Sequence, residues 1–144
     1  MRRIITGHNE DGKSVVMYEG PPARSIGEDV GGLYEIWNTE STPFTTKGFE
    51  DKADIEIELE PPKGGTKFRY FQINPTPDGV PIEILNEMAA EAFDKIKASH
   101  CRVDVSRHPA MHKTDSIDYI ILLKGDVTLI PVSYTHLTLP TTLQ

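Results

Sequence analysis

Residues 118–130 read DYIILLKGDVTLI, and no other stretch constrains the fold as much. An apolar run meets a Lys-Gly-Asp turn and a second apolar run follows. The expected product is a β-hairpin whose inward face is Ile120 and Leu122 or their neighbours. Earlier segments agree with it. Arg3–Thr6 and Ser14–Tyr18 are short apolar stretches on either side of HNEDG, where Asn9–Gly12 offers residues that tolerate positive φ. Leu33–Asn38 follows Gly31 and Gly32 as a further strand, and Ser41–Lys52 is aperiodic and reads as a loop.

Asp54–Glu60 alternates acids with Ile55, Ile57 and Leu59, and Lys67–Ile73 resumes alternation after PPKGGT, so the two predict an antiparallel pair. After NPTPDGVP the period changes. Ile82, Leu85, Met88 or Ala89, Ala92 and Ile96 form the stripe of one amphipathic helix, with acids early and lysines late as the macrodipole favours. The 144 residues suit one domain with a sizeable core, and no internal repeat divides them.

With 15 Lys plus Arg against 22 Asp plus Glu, the net charge is -7, which repels a polyphosphate backbone. The adjacent pair Arg2 and Arg3 reads as a solvated N-terminus, and no nucleic-acid partner is expected. No apolar run approaches the roughly 20 residues of a membrane span. The N-terminus does not read as a secretory signal, so a cytoplasmic protein without a membrane partner is expected. The lone Cys101 agrees with a reducing compartment. His100 adjoins it, but neighbours in an extended segment point to opposite faces, and Cys101 is not expected to be a nucleophile.

Val132–Thr142 reads VSYTHLTLPTT, breaks the preceding alternation and carries no charge. It matches one reading frame of a widely used transposase sequencing adapter. That frame requires Ser, Pro, Thr or Ala at the preceding position, and Pro131 meets the condition. We therefore expect a domain over residues 1–131, incomplete at its C-terminal side, and a foreign translation over 132–144, in which His136 has no function. A genuine polar strand is the rival reading.

Chemistry concentrates in residues 108–130. His112, Thr114, Ser116, Asp118 and Ile120 share one face of an extended chain, and a bend at Asp115 and Ser116 is needed to bring His112 and Asp118 to one ion. The plain alternatives are a hydrogen-bonded histidine at a strand start and a carboxylate accepting a backbone N–H.

This segment resembles the first motif of the cupin superfamily, small jelly-roll barrels: G, five residues, H-x-H, three or four residues, E, six residues, G. His112 falls at the first histidine, Thr114 at the second, Asp118 at the glutamate, Gly125 at the closing glycine, and Ser106 stands at the first glycine. The resemblance implies an all-β jelly-roll barrel with one packed helix. Within it, His112 and Asp118 would hold a divalent metal (Fe, Mn, Zn or Ni), joined by an imidazole from a second motif. Threonine is a poor ligand beside imidazole. The implied function is binding a small organic molecule, with metal-dependent oxygenase, decarboxylase or isomerase chemistry. The alternative is a metal-free binding or structural cupin without catalysis. A homodimer is the expected assembly of the full-length protein.

Overall fold

The computed structural model describes residues 1–44, 48–133 and 137–140. Parts of the expected loop (45–47) and of the tail (134–136, with His136, and 141–144) lie outside the described residues. Among the described residues strands dominate, with one α-helix. β1 (Arg3–His8) and β2 (Ser14–Gly20) pair antiparallel. Asn9 builds their turn as expected: its side-chain oxygen accepts the backbone N–H groups of Asp11 at 3.1 Å and Lys13 at 2.9 Å, and Gly12 supplies φ 73°.

A second sheet has the order β3-β4-β5, formed by Arg24–Ile26, Gly31–Thr39 and Thr66–Ile73. It requires glycine where β4 begins. Gly31 sits at φ 131°, and a Cβ there would lie 2.2 Å from the carbonyl oxygen of Gln72. Burial alternates through Leu33 and Glu35, then slips so that Asn38 is buried in place of Trp37. The cause is a bulge between Glu35 and Trp37, which leaves Ile36 without a cross-strand partner. The Ile36 carbonyl instead accepts Arg3 Nη1 at 3.1 Å. Arg3 also pairs with Asp51 and lies over the Tyr18 ring. The expectation of a solvated Arg3 is therefore corrected: it is buried and ties β1 to the bulge and to the following loop.

The expected pairing of 54–60 with 67–73 does not form: β5 pairs with β4, and 54–60 belongs to no sheet. Stretch 54–60 is held by side chains instead of a ladder. Arg69 donates to the carbonyls of Leu59 at 2.8 Å and Glu58 at 2.9 Å, and Lys67 Nζ to Glu58 at 2.6 Å. The 118–130 hairpin is also absent. Residues 117–123 belong to no sheet, while β6 (Asp126–Leu129) pairs with β7 (Leu137–Pro140). The strands form three separate sheets with no closed barrel among the described residues, so the all-β character with one helix stands at that level.

α1 spans Ile82–Lys95, with Glu83 in its first turn and Lys95 in its last. Its buried stripe differs from the expected one. Phe93 is the buried residue, whereas Ile82 and Met88 are 52% and 51% exposed. Phe93 packs with Ala98 and Cys101, and Leu59 and Ile96 cover them. No described helix is long and apolar enough to cross a membrane.

Candidate metal centre

The end of α1 positions the site. Lys97 takes φ 54°, and its N–H reaches the Asp94 carbonyl while that of Ala98 reaches Phe93 at 2.7 Å. This pair of bonds is the Schellman ending, with the left-handed residue a lysine instead of the usual glycine. Lys97 Nζ then meets the carboxylates of Glu56 at 2.6 Å and Glu58 at 3.1 Å. The reversed chain enters a 3-10 turn at Ser99–Cys101, closed by Cys101 N–H on the Ala98 carbonyl at 2.9 Å. Stretch 54–60 meets it from the other side, since Leu59 N–H donates to the Ile96 carbonyl at 2.9 Å. Glu60 follows directly, and Pro61 and Pro62 carry the chain away.

Glu60, His100 and Cys101 therefore converge, their oxygen, nitrogen and sulfur donors all within 4.8 Å of one another. His100 Nε2 is 2.8 Å from Glu60 Oε2, and Cys101 Sγ is 3.5 Å from the same nitrogen. Cys101 is 2% exposed while the imidazole faces solvent. Burial pushes the Cys101 thiol up, and the negative charges of Glu60 and Asp115 add to it. The His100 hydrogen bond holds the Glu60 carboxyl below its ordinary value against burial, helped by the Asp115 backbone N–H and the Cys101 thiol. The site thus sets a neutral thiol beside a carboxylate bonded to imidazole.

Adjacent residues are not on opposite faces here, which corrects the reading of His100 and Cys101. A 3-10 turn separates neighbours by about 120°, so both side chains reach Glu60. The adjacency was visible in the sequence; the turn and the distant carboxylate were not.

The two expected ligands lie elsewhere. His112 packs its ring on Phe93, centroids 5.1 Å apart, with Nδ1 2.9 Å from the Ala110 carbonyl oxygen. Asp118 accepts Ser116 Oγ at 3.1 Å, and Thr114 Oγ1 and Ser116 Oγ are 2.9 Å apart. The expected bend at Asp115 and Ser116 is present, and Thr114, Ser116 and Asp118 are linked along one side of the chain. Neither His112 nor Asp118 joins a group of three metal-ligating side chains among the described residues. His112 is nonetheless close to the observed group: Lys113 N–H donates to the Cys101 carbonyl at 2.9 Å, and Phe93 packs against Cys101. No protein-family model and no curated protein matches the chain.

Proposed function

We propose that this protein binds a borderline divalent metal ion, with zinc the best match, through Cys101 Sγ, His100 Nε2 and a Glu60 carboxylate oxygen. The observation that carries the reading is the convergence of sulfur, nitrogen and oxygen donors within 4.8 Å. Thiolate and imidazole together favour zinc over magnesium, calcium or manganese. Three protein ligands leave one tetrahedral position open, as catalytic zinc sites do. A bound ion of this kind polarises an oxygen or generates hydroxide near neutral pH. The chain's own part is to present the thiol from a buried turn, with the Glu60 carboxylate held against His100 Nε2 at 2.8 Å.

Titration of the full chain with Zn2+ against a chromophoric chelator tests this. One ion per chain is expected, with binding lost in Cys101→Ala and weakened at least about tenfold in His100→Ala, since loss of even an outer-shell partner of a ligand costs about that much. Cobalt substitution should give a thiolate-to-metal absorption that Cys101→Ala removes. Stoichiometric binding that survives Cys101→Ala would overturn the reading.

A second reading keeps a cupin-type roll in which His112 and Asp118 serve a site for a small organic molecule, with metal-dependent chemistry or without it. It is supported by the bend at Asp115 and Ser116 and by the Thr114–Ser116–Asp118 hydrogen bonds along one side. The same titration separates the two. Loss of metal in His112→Ala and Asp118→Ala, with Cys101→Ala unaffected, favours the roll.

A further inference from the structure

Residues 117–123 carry the most apolar strand sequence in the chain and belong to no sheet. Tyr119 is 93% exposed, Ile120 72%, Ile121 80% and Leu123 64%. Among the described residues, no backbone N–H or C=O group from 117 to 123 has a hydrogen-bond partner. A row of unpaired backbone groups flanked by β-branched and aromatic side chains is a template for another strand. The charges at its ends indicate which strand.

We infer that residues 118–124 pair antiparallel with the same residues of a second copy, across a two-fold axis through Ile121. Asp118 and Lys124 lie three positions to either side of Ile121. An antiparallel pairing centred there puts each copy's Asp118 opposite the other's Lys124, at both ends of the ribbon. Ile120 then faces Leu122, Tyr119 faces Leu123, and Ile121 meets its own counterpart. Parallel in-register pairing would set Asp118 on Asp118 and Lys124 on Lys124, which cross-strand charges oppose. Both side chains are free to take part: Asp118 accepts only the Ser116 hydroxyl, and Lys124 has no partner among the described residues. The arrangement is isologous, as two-fold dimers require. A two-stranded ribbon is marginal alone, so the dimer is weak and depends on concentration.

Sedimentation velocity of the full chain over a wide concentration range tests the pairing with two single variants. Asp118→Lys puts cations at both ends of the segment and Lys124→Asp puts anions at both ends. Each variant alone should self-associate about tenfold more weakly than the wild type, because two attractive contacts become repulsive. An equimolar mixture should recover wild-type association, since every end then meets its opposite charge. A wild type that stays monomeric would overturn the inference, as would single variants that associate unchanged. A mixture no tighter than its components, or growth beyond the dimer that ignores these charges, would do the same.

Discussion

Glu35 is the largest side chain removed entirely from water, at 1% exposure, and Arg69 stands directly opposite it on β5. The two form an ion pair, and Arg69 also donates to the Leu59 and Glu58 carbonyls. One guanidinium thus links the sheet to the stretch that delivers Glu60. Glu35 Oε2 and Arg69 Nε have no partner among the described residues, which leaves the pair only partly satisfied there. Removing one member strands the other charge, which costs about 3–5 kcal/mol. Glu35→Ala should lower unfolding stability by about 3 kcal/mol in denaturant titration, and the double variant Glu35→Leu with Arg69→Met should lose less than either single change. Asp51 predicts the pH response. Burial works to raise its carboxyl, but the Arg3 hydrogen bond, the Ala53 N–H and the Arg3 charge overcome it, leaving the group below its ordinary 3.8. A carboxyl depressed by folding stabilises above its unfolded pKa, and that contribution fades as pH falls through and below 3.8. Acid titration should therefore destabilise the wild type more steeply than Asp51→Asn, with the two converging at the acid end. None of these partnerships is local. Glu35 and Arg69 are 34 positions apart, Arg3 and Asp51 48, and Glu60 and His100 40. Periodicity reports which face a residue takes, not which distant side chain meets it.

Among the elements, α1 was legible in extent and charge order but not in its buried face. The stripe through Ile82, Leu85, Met88 and Ala92 assumes a neighbour along the whole helix, whereas the contacts gather at its last turn. There the Schellman reversal brings Ala98 and Cys101 under Phe93. Phe93→Ala should cost about 3–5 kcal/mol by opening a cavity in this small core. Ile82→Ala and Met88→Ala should each stay within about 0.5 kcal/mol, as changes at exposed positions do. Comparable losses at all three would restore the longer stripe. The strands divide the same way. β1, β2 and β4 follow their alternation and turn residues, which are local properties. Alternation through Ile55, Ile57 and Leu59 gives a real face, with Ile57 buried, yet no ladder, because the carbonyls of Glu58 and Leu59 go to Lys67 and Arg69. Hydrophobic period records burial; it does not record whether backbone or side chain supplies the hydrogen bonds.

On the scale of the molecule, burial is the scarce quantity. Its accessible surface is 11026 Å2, whereas a folded 16.1 kDa chain exposes about 7,400 Å2. Among the described residues the buried hydrophobic side chains are Leu33, Ala53, Ile57, Phe93, Ala98 and Cys101, with Pro109 also buried, so these residues do not form the sizeable core expected of this length. Calorimetry should then give an unfolding enthalpy well below the roughly 100 kcal/mol typical of such a length, and a hydrophobic dye should bind the unheated protein. The tail decides how this shortfall is understood. Among the described residues β7 shares a sheet only with β6. The Arg107 guanidinium, which reaches back to this region, bonds the carbonyls of Pro131 and Val132, the latter at 2.9 Å. A chain ending at Ser133 keeps both bonds and, of the described elements, loses β7. If 132–144 is foreign to the domain, as its match to an adapter frame suggests, this shortened chain should melt within about 2 °C of the full one, the effect of less than roughly 0.5 kcal/mol. It should also keep its helix signal and its zinc stoichiometry. A strand that closed a roll could not be removed so cheaply: its loss would open the sheet above the core and lower the midpoint by many degrees. A large drop would therefore make the tail structural, whereas an unchanged melt would leave β6 an exposed edge in need of a different partner.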